Sequence, residues 1–194
     1  MHIHYISEQN SILNHFLAQI RDVNIQKDSM RFRKNIERIG EIMAYELSKT
    51  LDYKEIDVQT PLGIKHTTTI AEPVVLCSIL RAGLALHQGF MSFFDNAENG
   101  FVSAYRHHYD NDDKFEILVE YQAAPSFEGK NLILIDPMLA TGQSLVAVLH
   151  KLHLEHQPKE IHLWVAALDE KLNEHNYIVP GLGDAGDLAY GIKL

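Results

Sequence analysis

The segment LIDPMLATGQS, Leu134 to Ser144, holds the densest chemistry in the chain. An apolar run ends in a carboxylate, Asp136. The small residues Ala140, Thr141 and Gly142 form a short turn, and a helical pattern resumes at Gln143. Small residues let a backbone approach a ligand closely, and the free N–H groups at a helix start attract phosphate. Thr141 and Ser144 add hydroxyl donors. A carboxylate at a strand end suits ribose hydroxyls or Mg²⁺-linked groups, both partners for a hard oxygen ligand. No Gly-Lys-Ser/Thr follows the glycine, so this is not a Walker loop. The plainer alternative is an ordinary strand–helix turn with a capping Thr.

Two further segments carry similar potential. SILRAG, Ser78 to Gly83, ends a second apolar run in Arg81 followed by small residues, which suits an anionic oxygen cluster. Arg106, after FVSAY, offers a second cation at the same mouth; a structural ion pair is the alternative for either arginine. YIVPGLGDAGD, Tyr177 to Asp187, has three glycines, one proline and two aspartates in eleven residues. That composition predicts an irregular segment rather than a helix or regular strand. Its backbone groups suit a small planar ligand, with Tyr177 as an apolar cover. Among the twelve histidines, His150, His153 and His156 share a helical face. Nothing nearby completes a ligand set, so they are expected to be a solvated face. His107 and His108 are expected in a loop.

These residues need elements to position them. Ile12, Leu13, Phe16, Leu17 and Ile20 share one helical face, and Phe32, Ile36, Ile39, Met43 and Leu47 another. Asp28 or Ser29 caps the second helix. Arg31, Arg33 and Lys34 stand early in that helix, against its dipole; exposed charges are the plainer reading and a use beyond helix stability the alternative. After a turn at Thr60 to Gly63, the run Pro73 to Leu80 is apolar without alternation, as for a strand buried on both faces. A helix is expected over 84–94, strands over 101–105, 115–121 and 131–136, a helix over 143–155 and a last strand over 161–168. Strands alternating with helices imply an α/β fold with a mostly parallel sheet, whose ligands sit beyond the carboxyl ends of the strands.

Composition sets the outer limits. The chain has 194 residues, 46% hydrophobic and 22% charged, with a formal charge of −9. This balance argues against a broad nucleic-acid surface but not against a small basic pocket. Cys77 is the sole cysteine, which excludes an intrachain disulfide and a cysteine-built metal site. No signal peptide or membrane span is visible, so a cytoplasmic protein is expected.

With these segments, ILRAG, DPMLATGQS and YIVPGLGDAGDL in that order, the chain closely resembles the uracil phosphoribosyltransferase family. The N-terminal RD, FR and RIG segments extend the likeness over most of its length. The resemblance implies a type I phosphoribosyltransferase fold: one domain over residues 1–194, a mostly parallel central sheet flanked by helices, and a C-terminal hood over the active site at about 169–194. It implies transfer of the 5-phosphoribosyl group from phosphoribosyl diphosphate to uracil, giving UMP and diphosphate. Arg81 and Arg106 would take the substrate's phosphates. Asp136, Pro137, Met138, Leu139, Ala140, Thr141, Gly142, Gln143 and Ser144 would hold the ribose and 5′-phosphate. Ile178, Gly183 and Ala185 would read uracil through backbone groups, with Tyr177 as a cover in the same substrate-binding set, and Asp184 would face the ribose–diphosphate side. Arg81, Asp136 and Asp184 are the expected catalytic set. Mg²⁺ is expected to arrive through the diphosphate, without a protein metal site, and a homodimer or larger homo-oligomer is expected.

Departures stand at Gln143, Leu188, Tyr190 and Ile192, where the family has glycine, arginine, phenylalanine and threonine. A larger one follows the helix after the phosphate turn. The chain passes through Gln157 to Glu160 straight into IHLWVAALDEKLNEHNYIVPG, roughly twenty residues short of the family and about one βα unit on usual element sizes. Either that unit is lost or a stretch is missing from the sequence. Loss of a core crossover would expose the sheet, which favours a stretch missing from the sequence. Two rival functions remain, a non-catalytic nucleotide sensor on the same fold and a phosphoribosyltransferase for another base.

Overall fold

A strand with no polar face is stable only where both faces of the sheet are covered, and the computed structural model is built around such a strand. Residues 2–108, 115–152, 162–174 and 177–192 are described. In chain order the elements are β1 (His2–Tyr5), α1 (Ile12–Arg21), α2 (Ser29–Ser48), β2 (Tyr53–Thr60), β3 (Gly63–Ile70), β4 (Val74–Leu80) and α3 (Gly83–Met91). Then come β5 (Glu98–His108), β6 (Phe115–Ala123), β7 (Asn131–Ile135), α4 (Gln143–Lys151), β8 (His162–Val165), β9 (Lys171–Leu172), β10 (Ile178–Val179) and α5 (Ala185–Tyr190).

The main sheet has the order β6-β5-β4-β7. β4 runs parallel to β5 and to β7, and β6 closes the far edge antiparallel. Val74 and Leu76 face α2 and α3, where Phe32, Ile36, Ile39, Met43 and Phe90 pack on them. Cys77 and Ile79 face the other way, onto Val148 and Leu152 at the end of α4. All five residues of the expected α2 face are buried, and the side chain of Asp28 caps the helix by accepting from the Arg31 N–H. α2 and α3 meet backbone to backbone. A Cβ on Gly89 would sit 2.1 Å from the Glu37 carbonyl oxygen, and one on Gly40 2.5 Å from that of Leu86.

Some expectations need correction. β2 and β3 form an antiparallel hairpin on either side of the expected turn. Its strands escaped notice because nearly every residue in them is exposed, so no buried face imposes an alternation. β5 continues to His108, which puts His107 and His108 in a ladder with β6 rather than in a loop. The hood is less irregular than its composition suggested: Ala185–Tyr190 is a short helix, because the Asp184 side chain accepts from the Asp187 N–H at its start. The last expected strand covers only His162–Val165 and pairs in parallel with β1, not with the main sheet. His153 and His156 lie outside the described residues; His150 is in α4.

Candidate active site

Adjacent parallel strands carry the two chemical turns. β4 and β7 pair with Ser78 opposite Ile135, so Arg81 and Asp136 leave neighbouring strands at the same end of the sheet. The start of α3 packs closely on the end of β7: a Cβ on Gly83 would lie 2.8 Å from the Ile135 carbonyl oxygen. The glycine of SILRAG therefore permits close packing of the helix on that strand end. The Leu80–Arg81 and Val179–Pro180 peptide bonds are cis.

Asp136 is the first residue past β7. Its Oδ1 accepts from the Met138 N–H at 3.1 Å. Burial pushes its carboxyl up from 3.8 to about 6, and the Met138 N–H opposes this only in part. Pro137 to Thr141 form the turn, and Gly142, at φ 77°, is the N-cap of α4. Gln143 opens α4 and its N–H is 3.4 Å from the Thr141 hydroxyl, which donates in turn to Gln143 Oε1 at 3.2 Å. The Gln143 side chain thus bonds back to the turn that precedes α4. Ser144 follows in the first turn of α4.

Arg81 is held from the opposite side. Its Nη1 donates to the Gly191 carbonyl at 3.0 Å and its Nη2 to Asp187 Oδ1 at 2.5 Å. A Cβ on Gly186 would lie 3.2 Å from Asp184 Oδ1 and 3.5 Å from Arg81 Nη2, so Asp184, Arg81 and the start of α5 converge. Arg33 reaches the other end of α5, where its Nη1 donates to the Ala189 carbonyl at 2.6 Å. This is the use that its position against the α2 dipole hinted at. Arg31 and Lys34 instead pair locally, with Asp28 and Glu37. Asp187 was not singled out from the sequence, and its acidic character alone gave no pointer to Arg81.

The hood is seated on this frame. β9 and β10 pair through Lys171–Val179 and Leu172–Ile178. Tyr177 is largely exposed, Ile178 half-buried and Ala185 buried. Gly183 sits at φ 93° just before the Asp184 cap. Leu188 packs against the main core. The backbone of Arg106 lies in β5, three residues past Ser103, the residue opposite Leu80; its side chain lies outside the described residues. Cys77 is fully buried and its thiol is pushed up to about 11 by desolvation, which makes it inert.

The pattern of the uracil phosphoribosyltransferase family matches residues 6–163 and, separately, 149–192. The chain belongs to the uracil phosphoribosyltransferase family. A uracil phosphoribosyltransferase of Porphyromonas gingivalis is 46% identical over the whole of both chains, and one of Thermococcus gammatolerans is 35% identical over 98% of this chain and 94% of its own. Among solved structures, the AQ2163 protein of Aquifex aeolicus is 29% identical with a TM-score of 0.85, covering 99% of each chain. Membership fits the architecture, an α/β fold with a mostly parallel sheet and two turns side by side at its carboxyl end. No helix among the described residues is long and apolar enough to cross a membrane.

Proposed function

We propose that the chain transfers the 5-phosphoribosyl group of phosphoribosyl diphosphate to uracil, releasing diphosphate and forming UMP. The observation that carries this reading is that Arg81 and Asp136 leave neighbouring parallel strands at the same end of the sheet, in a chain matched by the uracil phosphoribosyltransferase pattern.

The reaction needs an oxocarbenium-like ribose held in line between uracil and a departing diphosphate. Arg81 has five N–H donors, of which two are engaged by the hood. The rest can meet diphosphate oxygens without breaking the frame, and Arg106 supplies the second cation. Asp136 takes the ribose hydroxyls, and the backbone from Pro137 to Gln143, with Thr141 and Ser144, takes the 5′-phosphate. Asp184 faces the ribose–diphosphate side from the N-cap of α5. Tyr177, Ile178, Gly183 and Ala185 read uracil; its alternating C=O and N–H edge complements a peptide edge, whereas an exocyclic amine would set donor against donor. Positioning, not a strong general base, supplies most of the catalysis.

Mg²⁺ enters as part of the substrate. An ion carried by the diphosphate needs few protein ligands. Bound there, it offsets charge on the leaving group. The reading also takes the enzyme as cytoplasmic and homo-oligomeric. The exposed apolar residues Tyr53, Val58, Leu62 and Ile64 of the β2–β3 hairpin support self-association.

The test is a panel of uracil, cytosine, xanthine and hypoxanthine, each with Mg²⁺ and phosphoribosyl diphosphate. UMP from uracil alone is expected. Product from another base instead would replace the substrate, and no product from any base would turn the reading to a non-catalytic sensor.

A further inference from the structure

Among the described residues, the buried polar side chains are Asn35, Ser78 and His87, and two of these touch. Ser78 interrupts the apolar run of β4, and its Oγ lies 2.6 Å from Nδ1 of His87 on α3. Nε2 of the same ring lies 2.8 Å from Oδ1 of Asn99 on β5. The ring is tilted against Phe101, with centroids 5.0 Å apart, and Phe101 stands opposite Ser78 in the β4–β5 ladder. An apolar pair at positions 78 and 87 would cost less to bury. Burial alone therefore does not account for the polar one.

The direction of each bond follows from its neighbours. Asn99 Nδ2 donates to the Ala97 carbonyl at 3.0 Å, so the amide oxygen faces His87 and must accept. Nε2 therefore carries a proton. Burial lowers the pKa of the ring, opposed by the bond to Asn99, so the ring is neutral and Nδ1 is an acceptor. The Ser78 hydroxyl donates to it. Each donor in this chain meets an acceptor, the condition under which a buried network fixes one packing.

What that packing fixes is the Arg81 turn. Ser78 and His87 are nine positions apart, and the segment between them holds the end of β4, Arg81 and the start of α3. A Cβ on Gly83 would lie 3.4 Å from Ser78 Cβ, so the turn rests on the serine. The N-cap of α3 is Ala82, which supplies no side-chain bond. The Ser78–His87 bond closes the segment where no cap does. Through Asn99 the ring is also tied to β5, the strand that carries Arg106.

We infer that His87 is a positioning residue for phosphoribosyl diphosphate, which holds the Arg81 turn in place through its bond to Ser78. The inference rests on the reading of Arg81 as a phosphate ligand. His87 is only 1% exposed, so it acts through the turn and not by touching substrate.

The test sets substrate affinity against stability. Ser78→Ala/His87→Leu replaces both bonding groups by apolar ones, a change that is nearly neutral or stabilising for folding. Asn99 is exposed, so its oxygen can turn to water. The melting temperature should match or exceed that of wild type. Calorimetric titration with phosphoribosyl diphosphate and Mg²⁺ should nevertheless show binding at least ~10-fold weaker. His87→Asn keeps an acceptor near the Nδ1 position, whereas His87→Gln keeps only a donor near Nε2. The first should bind within about threefold of wild type and the second about tenfold more weakly. The KM for uracil should stay within about twofold in all three variants. Wild-type affinity in the folded double variant, or equal affinity of the Asn and Gln variants, overturns the inference. So does a loss of affinity that simply follows the melting temperature across the three. The Asn and Gln pair decides the point if the double variant is destabilised. UMP formation by wild type in the same assay keeps the two readings apart: a failed inference leaves the transferase intact, whereas a wild type that binds no phosphoribosyl diphosphate overturns both.

Discussion

Arg81, just past β4, and Asp187, in α5, stand 106 positions apart in the chain and meet at 2.5 Å between Nη2 and Oδ1. The cation at the sheet's mouth is thereby tied to the hood that covers it. Both side chains are partly exposed, where an ion pair adds little to stability, so the link matters for position. Arg81→Ala is expected to fold normally and lose turnover by about 10²–10³-fold, the usual loss when a charge-stabilising donor is removed. Asp187→Asn keeps an acceptor but loses the charge. Its kcat/KM for phosphoribosyl diphosphate should fall about tenfold, from imprecise placement of the guanidinium. Steady-state kinetics with circular dichroism of both variants checks this; wild-type kinetics in Asp187→Asn would rule out a positioning role.

Asp136 gives stability a pH dependence of unusual sign. Its carboxyl titrates near 6 when folded, against 3.8 as the ordinary value, because burial disfavours the charge. Between those values the native state holds more protons than the unfolded state, so this group's contribution to stability falls as pH rises from about 4 to 6. The full difference is at most about 3 kcal/mol. Asp136→Asn removes the titration and keeps an acceptor for the Met138 N–H. Thermal melts from pH 4 to 8 should show the variant more stable than wild type above pH 6, with the gap closing near pH 4. Its activity should be lost throughout.

The scaffold was legible in the sequence wherever burial imposed a pattern. Phe32 to Leu47 repeat at the helical period because one side of α2 faces the core, and Val74 to Leu80 are apolar but for the buried Ser78 because both faces of that strand are covered. The three turns at strand ends were legible through small residues and lone charges. Where burial imposes nothing, the sequence was silent: β2 and β3 are exposed on both sides, and β1 is four residues long. The partners within the site were hidden for another reason. Arg81 with Asp187 and Arg33 with Ala189 are contacts between distant segments, and neither leaves a periodic trace. Arg33 left only an indirect sign, a positive charge on the wrong end of a helix.

The hood's own turn tolerates no side chain at Gly181. Its φ is 61°, and a Cβ there would lie 2.3 Å from the Ile178 carbonyl oxygen. Left-handed strain and the clash together should cost Gly181→Ala at least ~2 kcal/mol. For a chain of this size that is a fall in melting temperature of about 4–8 °C. Because Ile178 is pushed, the KM for uracil should rise more than that for phosphoribosyl diphosphate. Calorimetry and initial-rate kinetics on the same preparation would test both parts.

Arg33 separates anchoring of the hood from contact with substrate. Its Nη1 holds the Ala189 carbonyl near the end of α5 at 2.6 Å, where a positive charge also favours the helix dipole. Arg33 has no contact with the Asp136–Ser144 turn among the hydrogen bonds of the described residues. Arg33→Met keeps the apolar stem, which covers the same surface, and removes only the donor and the charge. Loss of one such bond costs about 1–2 kcal/mol, too little to unfold the chain but enough to loosen a helix of six residues. The KM for uracil should rise several-fold while that for phosphoribosyl diphosphate stays within about twofold, whereas the effect of Asp187→Asn falls on phosphoribosyl diphosphate. Hydrogen exchange of the α5 amides should quicken in the variant. Unchanged exchange together with an unchanged KM for uracil would show that Arg33 does not anchor α5.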